Sequence, residues 1–178
     1  MGRIELNSLT LEELEKLMVS IGEKTYRGEQ LFTFLHKNCG KRIEDISVFS
    51  IGLQDKLKKV GWINRIKILK RLDSNIDHTK KYLFSLEDNN IIEGVIMEYR
   101  HGLTACISTQ VGCKMGCSFC ASTKEGFIRN LSSAEMLEQI YNMERDLNKK
   151  ISNIVLMGSG EPLDNYDNVL KFLNIIHS

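Results

Sequence analysis

Three cysteines within eight residues, Cys113, Cys117 and Cys120, constrain this chain more than any other feature of its sequence. A Cys-x3-Cys-x2-Cys loop can wrap three corners of a [4Fe–4S] cubane, whereas clusters that only transfer electrons normally take a fourth cysteine. No fourth cysteine lies beside these three. The spacing therefore predicts a cluster with one open iron, which can chelate the amino and carboxylate groups of S-adenosylmethionine (SAM) for radical chemistry.

A structural zinc site is the main alternative for this loop, because zinc knuckles also combine three cysteines with a histidine. No histidine follows Cys120 at a zinc-finger spacing, and the apolar Phe119 is expected to shield a cluster from water. The four histidines are His36, His78, His101 and His177. A structural disulfide is a weaker alternative, because five cysteines cannot all pair and no signal peptide is seen.

Composition places the chain among ordinary globular proteins of one or two domains. Hydrophobic residues make up 42% of the 178 residues and charged residues 26%, which is enough to build a buried core. No apolar run approaches the roughly 18 residues that would span a bilayer. We therefore expect a cytoplasmic protein without a membrane partner, in a compartment where thiols stay reduced.

Basic residues are concentrated between Lys56 and Lys81, although the whole chain has a net charge of only +1. This stretch has nine basic residues against Asp73 and Asp77, which leaves a net charge of +7. The basic residues are Lys56, Lys58, Lys59, Arg65, Lys67, Lys70, Arg71, Lys80 and Lys81. The pattern is compatible with a nucleic-acid surface and equally with a solvated face of ordinary lysines.

The first part of the chain is predicted to be helical. Thr10 begins a helix with a capping box, and further helices are predicted from about Tyr26 to Asn38, with Phe34 facing inward, and from Ile51 to Val60. Residues 1–62 are therefore predicted to form a small helical accessory domain, which is also a candidate for binding RNA.

Residues 63–102 change to the two-residue period of β-strands, separated by turns rich in asparagine, aspartate and glycine. The predicted antiparallel strands are Arg65 to Leu72, Lys81 to Leu86, Ile91 to Tyr99 and Leu103 to Thr109. This segment is expected to lead directly into the cysteine loop.

Residues 103–178 alternate between strand and helix patterns. After the cysteine loop come a helix from about Ser132 to Asn148, a buried parallel strand at Ile154–Met157 and a helix from Asp167 to Ile176. This order is typical of the opening of a βα barrel. The predicted fold class is α/β, with a helical domain, short antiparallel strands and then the first βα units of an incomplete barrel.

Gly158-Ser159-Gly160-Glu161-Pro162 follows the predicted buried strand. Glycines at such a turn let a backbone approach a ligand, and a carboxylate at the carboxyl end of a parallel strand can accept hydrogen bonds from an ammonium group. Such a turn often does no more than end a strand. One βα unit after a cluster loop, Gly160 and Glu161 resemble the SAM-binding GGEP-type motif of radical SAM enzymes.

Three segments together resemble the RlmN-type adenine-C2 RNA methyltransferases, and the similarity spans essentially the whole chain. They are Cys106-Ile-Ser-Thr-Gln-Val-Gly-Cys113, Gly126-Phe-Ile-Arg-Asn-Leu131 and Met157-Gly-Ser-Gly-Glu-Pro-Leu163. The related C8-methylating enzymes usually have Ala in place of Pro162 and Cys in place of Val111, so the C2 reaction is favoured. The resemblance implies a [4Fe–4S] cluster, SAM, a ribosomal RNA substrate with transfer RNA as a further one, and a flavodoxin or ferredoxin as electron donor.

The resemblance also implies a mechanism and two catalytic residues. One SAM methylates an enzyme cysteine, and a second yields a 5′-deoxyadenosyl radical that activates this methyl group for addition to C2 of adenine. Glu93 matches the proton acceptor, and Cys106 matches the thiol that releases the product by forming a disulfide. Without the resemblance, Glu93 reads as an outward strand glutamate and Cys106 as a buried strand thiol.

The chain departs from the family because no cysteine after Cys120 can carry the methyl group. We therefore interpret it as the N-terminal half of a longer enzyme, inactive alone, with too few strands to close a barrel. A non-catalytic RNA-binding module and a radical SAM activase are the alternative functions. The sequence leaves the oligomeric state open.

Overall fold

The computed structural model describes residues 2–124 and 126–178, which divide into two compact units. The helical unit comprises the residues up to Asn64 together with Leu170–Ser178, and the sheet unit comprises Arg65–Val169. None of the helices described is long and apolar enough to cross a membrane.

The part of the helical unit before Asn64 contains three α-helices and one pair of short parallel strands. In chain order its elements before Asn64 are β1 (Ile4–Glu5), α1 (Leu11–Ser20), α2 (Tyr26–Phe32), α3 (Ile51–Val60) and β2 (Gly61–Trp62). The predicted capping box is present, since Thr10 Oγ1 accepts a hydrogen bond from the Glu13 amide while the Glu13 carboxylate accepts one from the Thr10 amide. The core includes Leu6, Leu14, Met18, Leu31, Leu35 and Leu57, all nearly inaccessible to solvent.

The second predicted helix differs from the single α-helix expected between Tyr26 and Asn38. The α-helix ends at Phe32, and Thr33–Lys37 continue as a π-helical turn in which the Asn38 amide donates to the Thr33 carbonyl at 3.0 Å. A π turn contains an extra residue and so rotates the apolar stripe. Phe32 is therefore buried, whereas Phe34, which was expected to face inward, is only half-buried.

The sheet unit contains a five-stranded mixed sheet, a small strand pair and two helices. Its elements are β3 (Lys67–Asp73), β4 (Lys80–Ser85), β5 (Ile91–Tyr99), β6 (Gly102–Cys106), β7 (Gln110–Val111), β8 (Arg129–Asn130), α4 (Ser133–Leu147), β9 (Asn153–Val155) and α5 (Tyr166–Ile176), whose residues from Leu170 belong to the helical unit. The sheet order is β3-β4-β5-β6-β9, and β7 pairs with β8. Neighbours are antiparallel except β6 and β9, which are parallel.

One face of this sheet packs against α4. A Cβ atom added at Gly94 would lie 2.5 Å from the Met143 methyl group, and the Tyr82 hydroxyl donates to Asp146 of α4 at 2.8 Å. The side chains on this face are buried. They include Tyr82, Phe84, Ile92, Ile96 and Ala105.

The opposite face, which we call the open face, carries the alternate residues of the same strands. In the register of β5 and β6, Val95 lies beside Cys106, and Glu93 lies two residues before Val95 on the same face. Both Val95 and Cys106 are half-buried, and Glu93 is exposed. Two of the predicted site residues therefore share the face that α4 leaves uncovered.

Strand β9 corrects the prediction of a buried parallel strand at Ile154–Met157. The strand covers Asn153–Val155, and all three of its residues are half-buried because β9 is the last strand at this edge of the sheet. Met157, just beyond it, is 79% exposed. The mixed α/β class is confirmed, whereas a barrel stays a prediction, since the described residues form an open sheet.

Candidate active site

The cysteine loop leaves the carboxyl end of β6 by way of the short strand β7. Cys113 is buried at its start, Cys117 is exposed in its middle and Cys120 is half-buried at its end. Backbone and side-chain bonds order the second half of the loop, because the Cys120 amide donates to the Cys117 carbonyl at 3.1 Å and the Thr123 hydroxyl donates to the Cys120 carbonyl at 2.8 Å. The loop is thus anchored at both ends and open between them.

The loop has three thiols that could bind a cluster, but in this structure the three thiols do not lie close enough together to share a metal ion. Among residues 2–124 and 126–178, no group of three histidine, cysteine or acidic side chains lies close enough to hold a metal ion. Phe119, expected to shield the cluster, is 93% exposed. Every residue from Lys114 to Phe119 is exposed, so the loop leaves open space beside its thiols. Three thiols without a histidine or carboxylate among them fit an iron–sulfur cluster with three protein ligands.

The Gly158–Leu163 turn is held against the segment that links β6 to the cysteine loop. The Gly158 amide donates to the Ile107 carbonyl at 3.1 Å, the Ser159 amide donates to Ser108 Oγ at 2.9 Å, and the Thr109 amide donates to the Ser159 carbonyl at 2.9 Å. The two segments therefore form one hydrogen-bonded layer at the carboxyl ends of the parallel strands β6 and β9.

The glycines of this turn serve a purpose that the sequence did not reveal. A Cβ at Gly158 would lie 2.7 Å from the backbone of Ile107, and one at Gly160 would lie 2.6 Å from the Gln110 Cβ. Gly160 also has φ of +103°, which side chains rarely adopt. Both glycines are thus required by the contact between two chain segments, and the expectation that they also let a ligand approach stays a prediction.

Glu161 lies at the end of the turn and caps the next element. Its Oε1 accepts a hydrogen bond from the Leu163 amide at 3.1 Å, at the start of a 3-10 turn formed by Pro162–Asn165. Its own amide donates to Gln110 Oε1 at 2.9 Å. The Glu161 carboxylate is therefore oriented by the local backbone and remains partly accessible to solvent.

Glu93 and Cys106 lie diagonally across β5 and β6 on the open face, a relation that brings side chains within about 7–8 Å. The Lys81 ammonium group lies 2.8 Å from Glu93 Oε1, in a pair that is about half-exposed. Burial raises the pKa of the Cys106 thiol, and a hydrogen bond from the Met157 amide partly opposes this rise. The open face thus holds one exposed carboxylate and one shielded thiol.

A cavity of about 360 Å³ joins Glu93 to both loops. Its lining comes from β5, from the residues on either side of the cysteine loop and from the Gly158–Leu163 turn. The lining residues are Ile91, Glu93, Val111, Gly112, Ala121, Ser122, Lys124, Gly126, Ile128 and Ser159. Cys106, Gly160, Glu161 and the three loop cysteines are not among them. Among the lining residues, the hydroxyl groups of Ser122 and Ser159 lie 3.2 Å apart.

Sequence reasoning missed three buried polar residues that organise the site. Ser108 Oγ donates to the Glu93 carbonyl at 2.7 Å and accepts from the Ser159 amide. Gln139 of α4 forms two hydrogen bonds with the Ser108 backbone, and Gln110 bonds the Glu161 amide. The one local signal was a run of polar residues directly after a buried strand, which does not reveal the partner of each.

Two family models match separate parts of the chain. The model described as "Radical SAM superfamily" matches residues 107–178, and the model described as "Ribosomal RNA large subunit methyltransferase N-terminal domain" matches residues 4–63. The first range contains the cysteine loop and the Gly158–Leu163 turn. The second contains α1, α2 and α3.

Similar proteins match along almost the whole chain. A "Probable dual-specificity RNA methyltransferase RlmN" of Alkaliphilus oremlandii (strain OhILAs) is 55% identical over 99% of this chain and 51% of its own length. The protein of the same name from Clostridioides difficile (strain 630) is 48% identical over 98% of this chain and 51% of its own length. A crystal structure of a radical SAM methyltransferase from Sphaerobacter thermophilus superimposes with a TM-score of 0.87 and 32% identity, covering 98% of this chain and 52% of that one. The chain spans about half the length of these relatives.

Proposed function

Because this chain belongs to the RlmN-type radical SAM RNA methyltransferases, of which it corresponds to the N-terminal half, we propose that it forms the cofactor-binding half of an enzyme that methylates C2 of adenine in ribosomal RNA and in transfer RNA. The observation that carries the proposal is the hydrogen-bonded layer between the segment before the cysteine loop and the Gly158–Leu163 turn, next to a cavity that reaches Glu93. The dual specificity in the relatives' names supports the two RNA substrates, and Pro162 and Val111 favour C2 over C8.

Enzymes of this family use a [4Fe–4S] cluster and SAM. Cys113, Cys117 and Cys120 would hold the cluster, and Gly160 and Glu161 would contact the SAM ammonium group. When bound, the cluster supplies the electron that cleaves SAM. The residues of this chain would orient the cofactors: backbone hydrogen bonds join the segment before the cysteine loop to the Gly158–Leu163 turn, so we expect the relative position of these two segments to change little when SAM binds.

Glu93 and Cys106 act on the covalent intermediate that links the enzyme to adenine C2. Glu93 accepts the C2 proton, for which it is suited as an exposed carboxylate that lines the cavity and is paired with Lys81. The Cys106 thiolate attacks the sulfur of the methyl-carrying cysteine and forms a disulfide with it, while the carbon–sulfur bond breaks. The departing carbon keeps the electron pair of that bond and takes up a proton to become the methyl group on C2. The family's methyl-carrying cysteine has no counterpart after Cys120. We therefore expect methylation only together with the remaining half of the enzyme.

A flavodoxin or ferredoxin would supply the electron, and the cytoplasm, where the RNA substrates are found, is the proposed location.

The barrel interior would form on the open face, where Glu93 and Cys106 lie and α4 does not. An incomplete barrel agrees with the half-buried edge strand β9, which further strands would cover in the longer relatives.

Anaerobic reconstitution with iron and sulfide tests the cluster. The chain should bind roughly four irons and four sulfides and acquire a broad absorbance at the blue end of the visible region. Cys117→Ala should lose this absorbance, whereas the control Cys39→Ala should keep it. Purification with one tightly held zinc ion and no iron uptake would contradict the proposal.

A non-catalytic RNA-binding module is the second candidate, and the charge distribution of the sheet unit favours it. Arg71 and Lys80 are neutralised by ion pairs within this unit. Lys67 and Lys70 on β3 are exposed, and within the described part of the chain neither lies within ion-pair distance of a carboxylate. Two such cations three positions apart on one strand suit an RNA backbone.

A binding experiment tests whether Lys67 and Lys70 form an RNA-binding surface. Filter binding of a ribosomal RNA hairpin at increasing salt should show a Kd that rises with salt, and Lys67→Gln with Lys70→Gln should reduce the slope by about two. Cys117→Ala should leave the binding intact. Lys16→Gln is the control, because Lys16 is already paired with Glu12. A slope unchanged by the double substitution would refute this surface.

A further inference from the structure

Gln110 is a fully buried polar residue between the two loops of the candidate active site, and neither the family resemblance nor the cofactor chemistry assigns it a role. We propose that Gln110 is a positioning residue. Its side chain fixes the Gly158–Leu163 turn, which would bind SAM, and connects this turn to the cysteine loop. The proposal rests on the proposed function, since it concerns the turn that would hold SAM.

The Gln110 side chain uses all of its hydrogen-bonding groups. Its Oε1 accepts from the Glu161 amide at 2.9 Å, and its Nε2 donates to Asn130 Oδ1 at 2.8 Å and to Asp164 Oδ2 at 2.9 Å. A backbone amide can only donate, and an ionised carboxylate can only accept. The orientation of the Gln110 amide is therefore fixed by its partners, and the turn is fixed in return at Glu161.

A charged link continues from Gln110 to the cysteine loop. Asp164 Oδ1 lies 2.8 Å from the Lys114 ammonium group, and Lys114 directly follows Cys113. The bonds from Lys114 and Gln110 lower the pKa of Asp164, so this carboxylate stays ionised and serves both partners. One continuous set of contacts therefore runs from Lys114 through Asp164 and Gln110 to the Glu161 amide.

Gln110 also explains why the turn needs glycine at position 160. A Cβ there would lie 2.6 Å from the Gln110 Cβ and 2.7 Å from its backbone nitrogen, whose amide donates to the Ser159 carbonyl at 3.2 Å. The turn therefore lies directly on the Gln110 backbone. A change at Gln110 should disturb the Glu161 amide first, because that amide has no other acceptor among the hydrogen bonds that the structure describes.

Two variants separate positioning from simple core packing. Gln110→Met keeps the length of the side chain and removes its three side-chain hydrogen bonds, whereas Gln110→Glu keeps an acceptor for Glu161 but places a second carboxylate beside Asp164. Gln54→Met is the matched control, because the Gln54 amide also donates to backbone carbonyls, including that of Ile46 at 3.1 Å, but lies in the helical unit.

The first measurement is amide hydrogen exchange in the 15N-labelled chain without cluster or SAM. We expect the Glu161 amide to exchange at least about tenfold faster in Gln110→Met than in the unaltered chain, because the Gln110 oxygen that accepts its hydrogen bond is lost. Gln110→Glu should keep most of the protection, and Gln54→Met should change nothing at Glu161. Equal exchange in all four proteins would overturn the proposal whatever the chain binds.

The second measurement is a SAM titration of the reduced, reconstituted chain, followed by the change that SAM causes in the electron paramagnetic resonance spectrum of the cluster. Gln110→Met should retain its iron content and require about tenfold more SAM for half of the change. An unchanged titration at equal iron content would contradict the positioning role. If the unaltered chain takes up no cluster, the proposed function fails, and the exchange measurement still decides whether Gln110 positions the turn.

Discussion

Arg129 carries an ion pair whose loss should be measurable in the stability of the sheet unit. Its Nη1 and Nη2 each donate to one carboxylate oxygen of Glu135 at 2.8 Å, and its Nε donates to Asp88 at 2.6 Å. The Glu135 side chain is only 5% exposed, and it also accepts a hydrogen bond from the Ser132 amide in the capping box of α4. Arg129→Met removes the cation and leaves this buried carboxylate without its main partner.

Loss of one partner from a buried ion pair typically costs about 3–5 kcal/mol. The lower end applies here, because Glu135 keeps the Ser132 amide and Arg129 itself is one-third exposed. The arm to Asp88 is more exposed and adds less than about 1 kcal/mol. We therefore expect Arg129→Met to lower the free energy of unfolding by about 3 kcal/mol.

Urea unfolding followed by far-ultraviolet circular dichroism measures this change. With a slope of about 2 kcal/mol per molar urea, the midpoint should fall by about 1.5 M. Lys16→Met is the control, because the Lys16–Glu12 pair is more than 70% exposed on both sides, and solvent-exposed pairs contribute little to stability. Adding Glu135→Gln to Arg129→Met should recover part of the loss, since a neutral amide is less costly to bury than an unpaired carboxylate. A midpoint shift no larger than that of the control would refute the reasoning.

Three further predictions concern acid stability, backbone strain and thiol reactivity. The hydrogen bond from Arg129 lowers the pKa of Asp88 from 3.8 to about 2, so the stabilisation by ionised Asp88 is complete above pH 3.8 and is lost as the pH falls through about 2. The difference in Tm between the unaltered chain and Asp88→Asn should therefore narrow over this pH range. A constant difference would contradict the role of the Arg129–Asp88 bond. Gly112→Ala should lower the free energy of unfolding by at least about 2 kcal/mol more than Gly116→Ala. Both glycines have φ of +70°, but only a Cβ at Gly112 would clash with a backbone oxygen, that of Gly126. Equal losses in urea unfolding would show that backbone strain alone determines the cost. Burial raises the pKa of Cys106, so iodoacetamide should alkylate Cys106 at least about tenfold more slowly than the exposed Cys117 at pH 8. Peptide mass spectrometry measures both rates. Similar rates would mean that the Cys106 thiol is open to solvent.

Local signals in the sequence predicted most of the secondary structure. The capping boxes at Thr10 and Ser132 mark the starts of α1 and α4, because a cap depends only on residues three positions apart. The turn at Asp88 likewise separates β4 from β5 as predicted. The π-helical turn at Thr33–Lys37 was missed, since it satisfies packing rather than a local preference.

Long-range contacts could not be read from the sequence to the same extent. The cysteine spacing and the Gly158–Leu163 motif were visible, but the bonds that join them run between residues about fifty positions apart, such as Gln110 and Glu161. The predicted burial of β9 failed for the same reason, because an apolar run does not show how many strands will cover it. The assigned roles of all the predicted site residues stay predictions: those of Glu93, Cys106, Gly160, Glu161 and the three loop cysteines.

Strand β6 pairs with β5 in an antiparallel and with β9 in a parallel arrangement, which has a consequence for folding kinetics. Strands β3 to β6 are joined by short turns, whereas β9 pairs with β6 through Ala105 and Ile154, which are 49 positions apart. Closing a long loop costs more chain entropy than closing a hairpin, so local pairings form first and distant ones later. All three loop cysteines lie within those 49 positions. The antiparallel strands β3 to β6 should therefore pair early in folding. The later pairing of the three-residue strand β9 with β6 should then determine when a newly made chain can bind its cofactor.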